Sequence, residues 1–293
     1  MDEESDQEQR GGSVMIYRTE KIDDSLYVIT EVNSVHMYLI IGKDRAVLFD
    51  TAYGYGDVKA EIAKITDREV MPVLSHGHVD HGTGVFRFDE AWLNMKDMDL
   101  LKQQDSYEMK NKMLEYRLHK LPELENEIDQ KEYYRGNIDH VIFHDLKEGD
   151  LIDLGDRVLK VIDLPGHTYG SIGLFDEKYG RLFTGDPITK HNIWNQMTFP
   201  DFVPPLRTLM DTYKKAYAIQ GLKEIYPAHN EFPCDRSLLL QLQEMIRDLL
   251  MNYKNDSEIE TAIGRCFRHD YQGRQLLYTQ ELLNEALTNG VEG

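Results

Sequence analysis

Four side chains able to bind a metal ion crowd into six positions, His76, His78, Asp80 and His81, within Ser75-His76-Gly77-His78-Val79-Asp80-His81-Gly82. Imidazoles and carboxylates at such spacing suit borderline-hard divalent ions such as zinc, iron or manganese, because each offers a nitrogen or oxygen lone pair without a thiolate. A run this dense is hard to reconcile with core packing. The rest of the chain is therefore read for what could serve it.

The 293 residues, 41% of them hydrophobic, suffice for one large domain or two small ones that fold without staples. The formal charge of -19 argues against a nucleic acid duplex or a membrane surface as main partner, since phosphates would meet net repulsion, whereas divalent cations would be attracted. Cys234 and Cys266 are too few and too far apart for a disulfide framework and read as reduced thiols of a cytoplasmic protein. No basic-then-apolar signal peptide and no apolar run long enough to cross a bilayer stand out.

Residues 1–15 read as a disordered acidic tail, too polar to offset the entropy of ordering, and 16–293 as a single domain. Strand patterns at Leu26 to Val32, His36 to Ile41 and Ala46 to Phe49 are followed by a helix that Asp57 could cap, with Val58, Ile62 and Ile65 on one face. The strand from Val70 to Leu74 delivers the histidine cluster. From about 95 to 137 the texture turns long, charged and strand-poor, which predicts two or three inserted helices whose methionines cover a surface or face a substrate. Strand patterns resume at His140 to His144, Val158 to Leu164, Ser171 to Phe175, Arg181 to Thr184 and Lys223 to Tyr226. Helices follow over Leu206 to Tyr217 and from an Asp235 cap to Tyr253. Two further strands, Ile263 to Arg268 and Gln275 to Thr279, and a last helix end the pattern.

After the Val70 to Leu74 strand, an extended loop with period-two alternation would aim His76, His78 and Asp80 to one side, with His81 turning toward the same point. A dinuclear site needs more ligands than these. Three isolated candidates each follow a strand-like run: His167 after Gly166, Asp186 after Gly185, and His229 after Ala228.

This ordered set resembles the metallo-β-lactamase superfamily of metallohydrolases: Asp50 ending an early strand, the H-x-H-x-D-H loop from His76, Gly166-His167, Gly185-Asp186 and a late His229. The resemblance implies an α/β fold, a four-layer αββα sandwich with the helical insertion, and a metal site at one edge of its two sheets. It implies two divalent ions, zinc first with iron or manganese as alternatives. His76, His78 and His167 would hold one, Asp80, His81 and His229 the other, and Asp186 would bridge them. Asp80 and Asp186 are then catalytic, through a hydroxide shared by the ions. Asp50 reads either as a group orienting a ligand imidazole or as a polar strand end.

The same ligands separate the chain from some relatives. Two-zinc β-lactamases carry a cysteine where Asp186 stands, and flavin-coupled diiron oxidoreductases carry a glutamate at the His78 position. The expectation is a hydrolase of an ester, thioester, lactone or related carbonyl small molecule, as in glyoxalase II or the lactonases. An iron-dependent oxidoreductase resembling persulfide dioxygenases is the alternative, with β-lactam or phosphodiester hydrolysis below it. His191, Trp194, Phe199 and Phe202, in an aromatic loop without period, are candidates either to line a substrate pocket or to anchor the loop on the core. The insertion helices are candidates for a homodimer contact.

Overall fold

Neighbouring side chains on the early strands go to different cores. In the computed structural model, which describes residues 15–32, 34–195, 200–261 and 263–291, Tyr38, Ile40, Val47 and Phe49 face one apolar layer, and Met37, Leu39, Ala46 and Leu48 face another. A strand buried on both faces needs an apolar residue at nearly every position, which is why these runs look continuous in the sequence. They belong to a seven-stranded sheet of β1 (Tyr17–Asp23), β2 (Leu26–Glu31), β3 (Val35–Ile41), β4 (Arg45–Phe49), β5 (Glu69–Val73), β6 (Glu90–Leu93) and β7 (Ile142–Asp145), in that spatial order. Pairing is antiparallel up to β4 and parallel from β4 to β7.

Against it packs a second sheet. Its strands are β8 (Leu151–Asp153), β9 (Val158–Asp163), β10 (Ile172–Asp176), β11 (Arg181–Gly185) and, past β12 (Asn192–Asn195), β13 (Glu224–Pro227) and β14 (Cys234–Asp235), in the order β14-β13-β11-β10-β9-β8. Leu159, Val161, Ile172, Leu174, Phe183 and Tyr226 close the layer between the sheets. Outside the first sheet lie α1 (Val58–Ala63), the short turn α2 (Val79–Gly82), α3 (Met98–Gln104), α4 (Tyr107–Lys120) and α5 (Gln130–Arg135), with Leu101, Met113, Leu114 and Tyr133 in the outer core. Outside the second lie α6 (Leu206–Ala218), α7 (Leu238–Asn252) and α8 (Gln280–Asn289). The result is the four-layer αββα sandwich that the resemblance implied.

A third, four-stranded sheet, in the order β12-β17-β16-β15, adds β15 (Ser257–Thr261), β16 (Gly264–Tyr271) and β17 (Arg274–Tyr278). Its β12 corrects the expectation of a loop without period: four residues pair in parallel with β17, some eighty positions on, and local alternation cannot announce such a partner. β1 escapes sequence reading because most of it is exposed and charged, as suits an edge strand. Asp57 does cap α1, accepting from Ala60 N at 3.1 Å. Asp235 does not cap α7; it accepts from Ser237 N at 2.8 Å in the turn before, and Ser237 is the cap position. Apart from Met15, the expected acidic tail lies outside the described residues. Cys234 and Cys266 are buried and free. Among the described residues no helix is long and apolar enough to cross a membrane.

One buried acid orders the loop after β4. Glu31, fully enclosed, accepts from Tyr53 N and Tyr55 N, each at 2.9 Å. Burial pushes its carboxyl from 4.5 up to about 7, against the pull of those N–H groups. Between these two values the unfolded chain loses the proton while the folded chain keeps it, so stability falls as pH rises across the window and levels off above it. Glu31→Gln is expected to remove up to about 3 kcal/mol of the stability lost between about pH 5 and about pH 8. Denaturant unfolding of both proteins at the two pH values checks this, and identical pH slopes would contradict it.

Candidate metal centre

At the carboxyl end of β4, Asp50 holds φ at 69°, a left-handed conformation that costs a residue with a Cβ on the order of 1 kcal/mol or more. Its carboxylate accepts from Ser75 N at 2.7 Å, Ser75 Oγ at 2.9 Å and His81 Nδ1 at 2.9 Å, all buried. Those bonds hold the strain in place. They also fasten the end of β4 to the segment that leaves β5.

That segment is not the extended loop expected. It bends at Gly77, where a Cβ would meet Asp97 O at 2.7 Å and Leu101 N at 2.9 Å, and then turns into α2. His76 and His78 come together from the bend, while Asp80 and His81 are presented by the helical turn. Asp97, at the start of the inserted helices, fixes the arrangement. Its fully buried carboxylate accepts from Gly77 N at 3.0 Å, Thr168 Oγ1 at 2.6 Å and Gly170 N at 2.7 Å, joining the His76 loop to the His167 loop.

The later candidates meet these residues. His78 Nδ1 lies 2.9 Å from both His76 Nε2 and His167 Nε2. Asp186 Oδ1 stands 3.2 Å from His81 Nε2 and 3.3 Å from His229 Nε2, and its Oδ2 stands 3.4 Å from His167 Nε2. Asp80 Oδ2 is 3.3 Å from His229 Nε2 and 3.6 Å from His81 Nε2. Three groups thus have donor atoms within 4.8 Å of one another: His76 with His78 and His167, Asp80 with His81 and His229, and Asp186 with His76 and His81.

Acceptors behind the rings decide which nitrogens face inward. His167 Nδ1 donates to Trp194 O at 2.6 Å, His229 Nδ1 to Ser34 O at 2.8 Å, and His81 Nδ1 to the Asp50 carboxylate. A carbonyl or carboxylate oxygen only accepts, so each Nδ1 carries a proton and each Nε2 lone pair points to the centre. His36, left without a role by sequence, steadies the neighbouring turn through Nε2 and Asn230 O at 2.8 Å.

Facing lone pairs need positive charge between them. Burial, with the neighbouring imidazoles, lowers His76 well below the usual histidine range and His78 to about 3, so these rings are neutral nitrogen donors. Burial opposes charge on His81 and His229 as well, but the Asp186 and Asp80 carboxylates override it and raise both. His81 Nε2 and Asp186 Oδ1 are buried and only 3.2 Å apart, yet among the described residues neither makes a well-aligned hydrogen bond. An all nitrogen and oxygen donor set with such orphaned inward atoms fits divalent cations, with protons standing in where cations are absent.

Two residues of the aromatic loop act through their backbone carbonyls. Trp194 serves His167 through its backbone carbonyl, and Phe202 O accepts from Tyr169 N at 3.2 Å, steadying the same loop. His191 sits 3.5 Å from Glu231, outside the cluster, and Phe199 lies outside the described residues. Asp97, Glu31 and the carbonyls of Ser34 and Trp194 escaped sequence reading. Asp97 is one acid among many in a charged stretch, and a carbonyl carries no sequence signal.

A model of the metallo-beta-lactamase superfamily matches residues 30–216. The acyl-coenzyme A thioesterase MBLAC2 of Homo sapiens is 23% identical over 241 residues, which cover 75% of this chain and 84% of that protein. A hydroxyacylglutathione hydrolase of Vibrio cholerae is 25% identical over 130 residues, 42% of this chain and 49% of that one. Among solved structures, the metallo-beta-lactamase family protein TTHA1429 of Thermus thermophilus aligns with a TM-score of 0.56 at 18% identity, covering 79% of this chain and 82% of its own. The sec-alkylsulfatase Pisa1 of a Pseudomonas species aligns at 0.61 and 14%, covering 82% and 43%. These structural likenesses concern the fold.

Asp97→Ala strands three donors in the interior and is expected to cost about 3 kcal/mol or more of stability. It should also weaken divalent-metal binding by roughly 10-fold to 100-fold, because the His76 and His167 loops lose their common anchor. Denaturant unfolding and a competitive chelator titration measure the two effects, and unaltered metal affinity would show that the loops hold themselves.

Proposed function

The chain belongs to the metallo-beta-lactamase superfamily and is an enzyme, a metal-dependent hydrolase; within that class we propose a dinuclear thioesterase that uses zinc. In this reading His76, His78 and His167 hold one ion, Asp80, His81 and His229 the other, and Asp186 spans both. The observation that carries it is the position of Asp186, whose Oδ1 reaches His81 and His229 while Oδ2 reaches His167. A carboxylate so placed has one oxygen for each group of ligands. The choice of thioesters over other esters and lactones follows the two curated relatives, one named for acyl-coenzyme A and the other for hydroxyacylglutathione. Both are S-acyl compounds.

Two divalent ions held by such a set supply Lewis acidity for a carbonyl oxygen and lower the pKa of bound water toward about 7. The chain's own residues supply the preorganisation. Asp50, Trp194 O and Ser34 O fix the ring planes of His81, His167 and His229 before any substrate arrives, so no side chain has to reorient during the reaction. Asp80 and Asp186 bring two negative charges to a buried pocket, which favours ions of high charge over monovalent ones.

Elemental analysis of protein purified without chelator is expected to find close to two zinc ions per chain, as two-metal chemistry requires. Asp186→Ala should remove at least one of them and lower thioester hydrolysis by about 1,000-fold or more. Acyl-coenzyme A and S-acyl glutathione should be turned over faster than lactones or β-lactams by the zinc-loaded protein. A single ion with full activity would overturn the dinuclear reading. Iron content with oxygen consumption in place of hydrolysis would overturn the zinc thioesterase.

A further inference from the structure

Arg117 comes from α4 and sinks its guanidinium beside the centre. Nη2 donates to Ser34 Oγ and to Tyr53 OH, the latter at 3.1 Å, and the guanidinium lies 5.3 Å from the Tyr53 ring centroid. Ser34 is also the residue whose carbonyl takes the proton of His229 Nδ1. The guanidinium therefore stands one residue away from a proposed metal ligand.

What it lacks among the described residues is a carboxylate in hydrogen-bond contact; Asp80 of the centre acts on it only through space. Among the described residues the buried cations Lys110 and Arg157 sit against the carboxylates of Asp105 and Asp176. The hydrogen-bond partners of the Arg117 side chain among the described residues are two hydroxyls, the rings of Tyr53 and Tyr116 lie against its guanidinium, and its Nε is buried without a hydrogen bond. A guanidinium can only donate, so both hydroxyl oxygens act here as acceptors and their own protons remain to be given away. No hydrogen bond in which Ser34 Oγ or Tyr53 OH donates is made among the described residues. Asp80, the nearest acid of the centre, is engaged with His81 and His229.

The platform is rigid. Tyr53 is stacked on Tyr55 with ring centroids 4.9 Å apart and planes at 9°, Tyr55 packs on Tyr133 of α5, and Glu31 fixes both backbone N–H groups of the Tyr53–Tyr55 turn. Donors on such a support are aimed before a ligand binds, which reduces the ordering cost.

We propose that Arg117, Ser34 and Tyr53 form an anion-recognition subsite that binds a carboxylate or phosphate group of the substrate within a few bonds of the carbonyl being attacked. Charge-assisted and bidentate contacts from guanidinium suit both anions. The placement next to the reacting carbonyl rests on the hydrolase reading above, but the binding of an anion does not. The inserted helices thereby act on specificity through one side chain, and the subsite gives a strongly acidic protein a local place for a negatively charged substrate.

The test uses zinc-loaded wild type, Arg117→Met, Arg117→Lys and Tyr53→Phe, the last keeping the stacked ring while removing one donor. Succinate and inorganic phosphate are the binding probes in calorimetry. Expected is a loss of affinity of about 10-fold or more in Arg117→Met, less in Arg117→Lys, and a few-fold in Tyr53→Phe, the scale of charge-assisted hydrogen bonds. Which probe is bound more tightly separates a carboxylate from a phosphate. Equal affinities across wild type, Arg117→Met and Tyr53→Phe overturn the proposal, and so does a loss confined to Arg117→Met that appears equally for a neutral amide probe.

Turnover is read as a ratio. N-Acetylcysteamine thioesters of succinate and butyrate differ only by a carboxylate on the acyl side, and butyryl thioesters of 3-mercaptopropionate and N-acetylcysteamine place it on the thiol side. Wild type should favour the anionic member of one pair, through KM, and Arg117→Met should reduce that preference about 10-fold. An unchanged ratio overturns the specificity role. Arg117-dependent probe binding without hydrolysis of any thioester would support the subsite and tell against the thioesterase.

Discussion

Nitrogen and oxygen lone pairs that face one another across a dry pocket repel unless protons or cations stand between them. The fold accepts that repulsion at one end of its sandwich and distributes the cost. Asp50 is held left-handed by three hydrogen bonds, and Asp97 closes two loops around one carboxylate. The pocket divides its electrostatics: burial disfavours charge on His76 and His78, while the Asp186 and Asp80 carboxylates favour it on His81 and His229. Cations there would compete with protons for the same nitrogens.

The division between legible and illegible features follows the range of the interaction. His76, His78, Asp80 and His81 stand within six positions, and His167, Asp186 and His229 each follow a strand and a small residue, so local chemistry and chain order were enough to single them out. The continuous apolar runs of β2 to β4 announce strands buried on both faces. The bend at Gly77 was not legible, because what packs against it, the backbone of Asp97 and Leu101, lies some twenty positions away and leaves no room for a Cβ. β12 was missed for a similar reason: its partner lies beyond Arg274. The orienting groups of His167 and His229 are backbone carbonyls, for which no residue type gives a sign.

Net charge sets the context for the rim. A chain at -19 attracts divalent cations and repels anionic small molecules at long range. Screening confines that repulsion to roughly 8 Å at physiological salt, so a guanidinium near the centre can dominate once a ligand is close. The inserted helices supply both Asp97, which ties the His76 loop to the His167 loop, and Arg117, whose guanidinium bonds the Ser34 and Tyr53 hydroxyls. A segment that reads as a charged covering thus reaches the site at two points.

The pairing of β12 with β17 sets an order of assembly. Trp194 aligns with Leu277, and the carbonyl of Trp194 holds His167. During synthesis the clustered histidines and aspartates up to His229 leave the ribosome before the strand that steadies His167 exists. A nascent chain would carry every member of the cluster around an unfixed imidazole, and the assembled site would wait for residues that stand outside it.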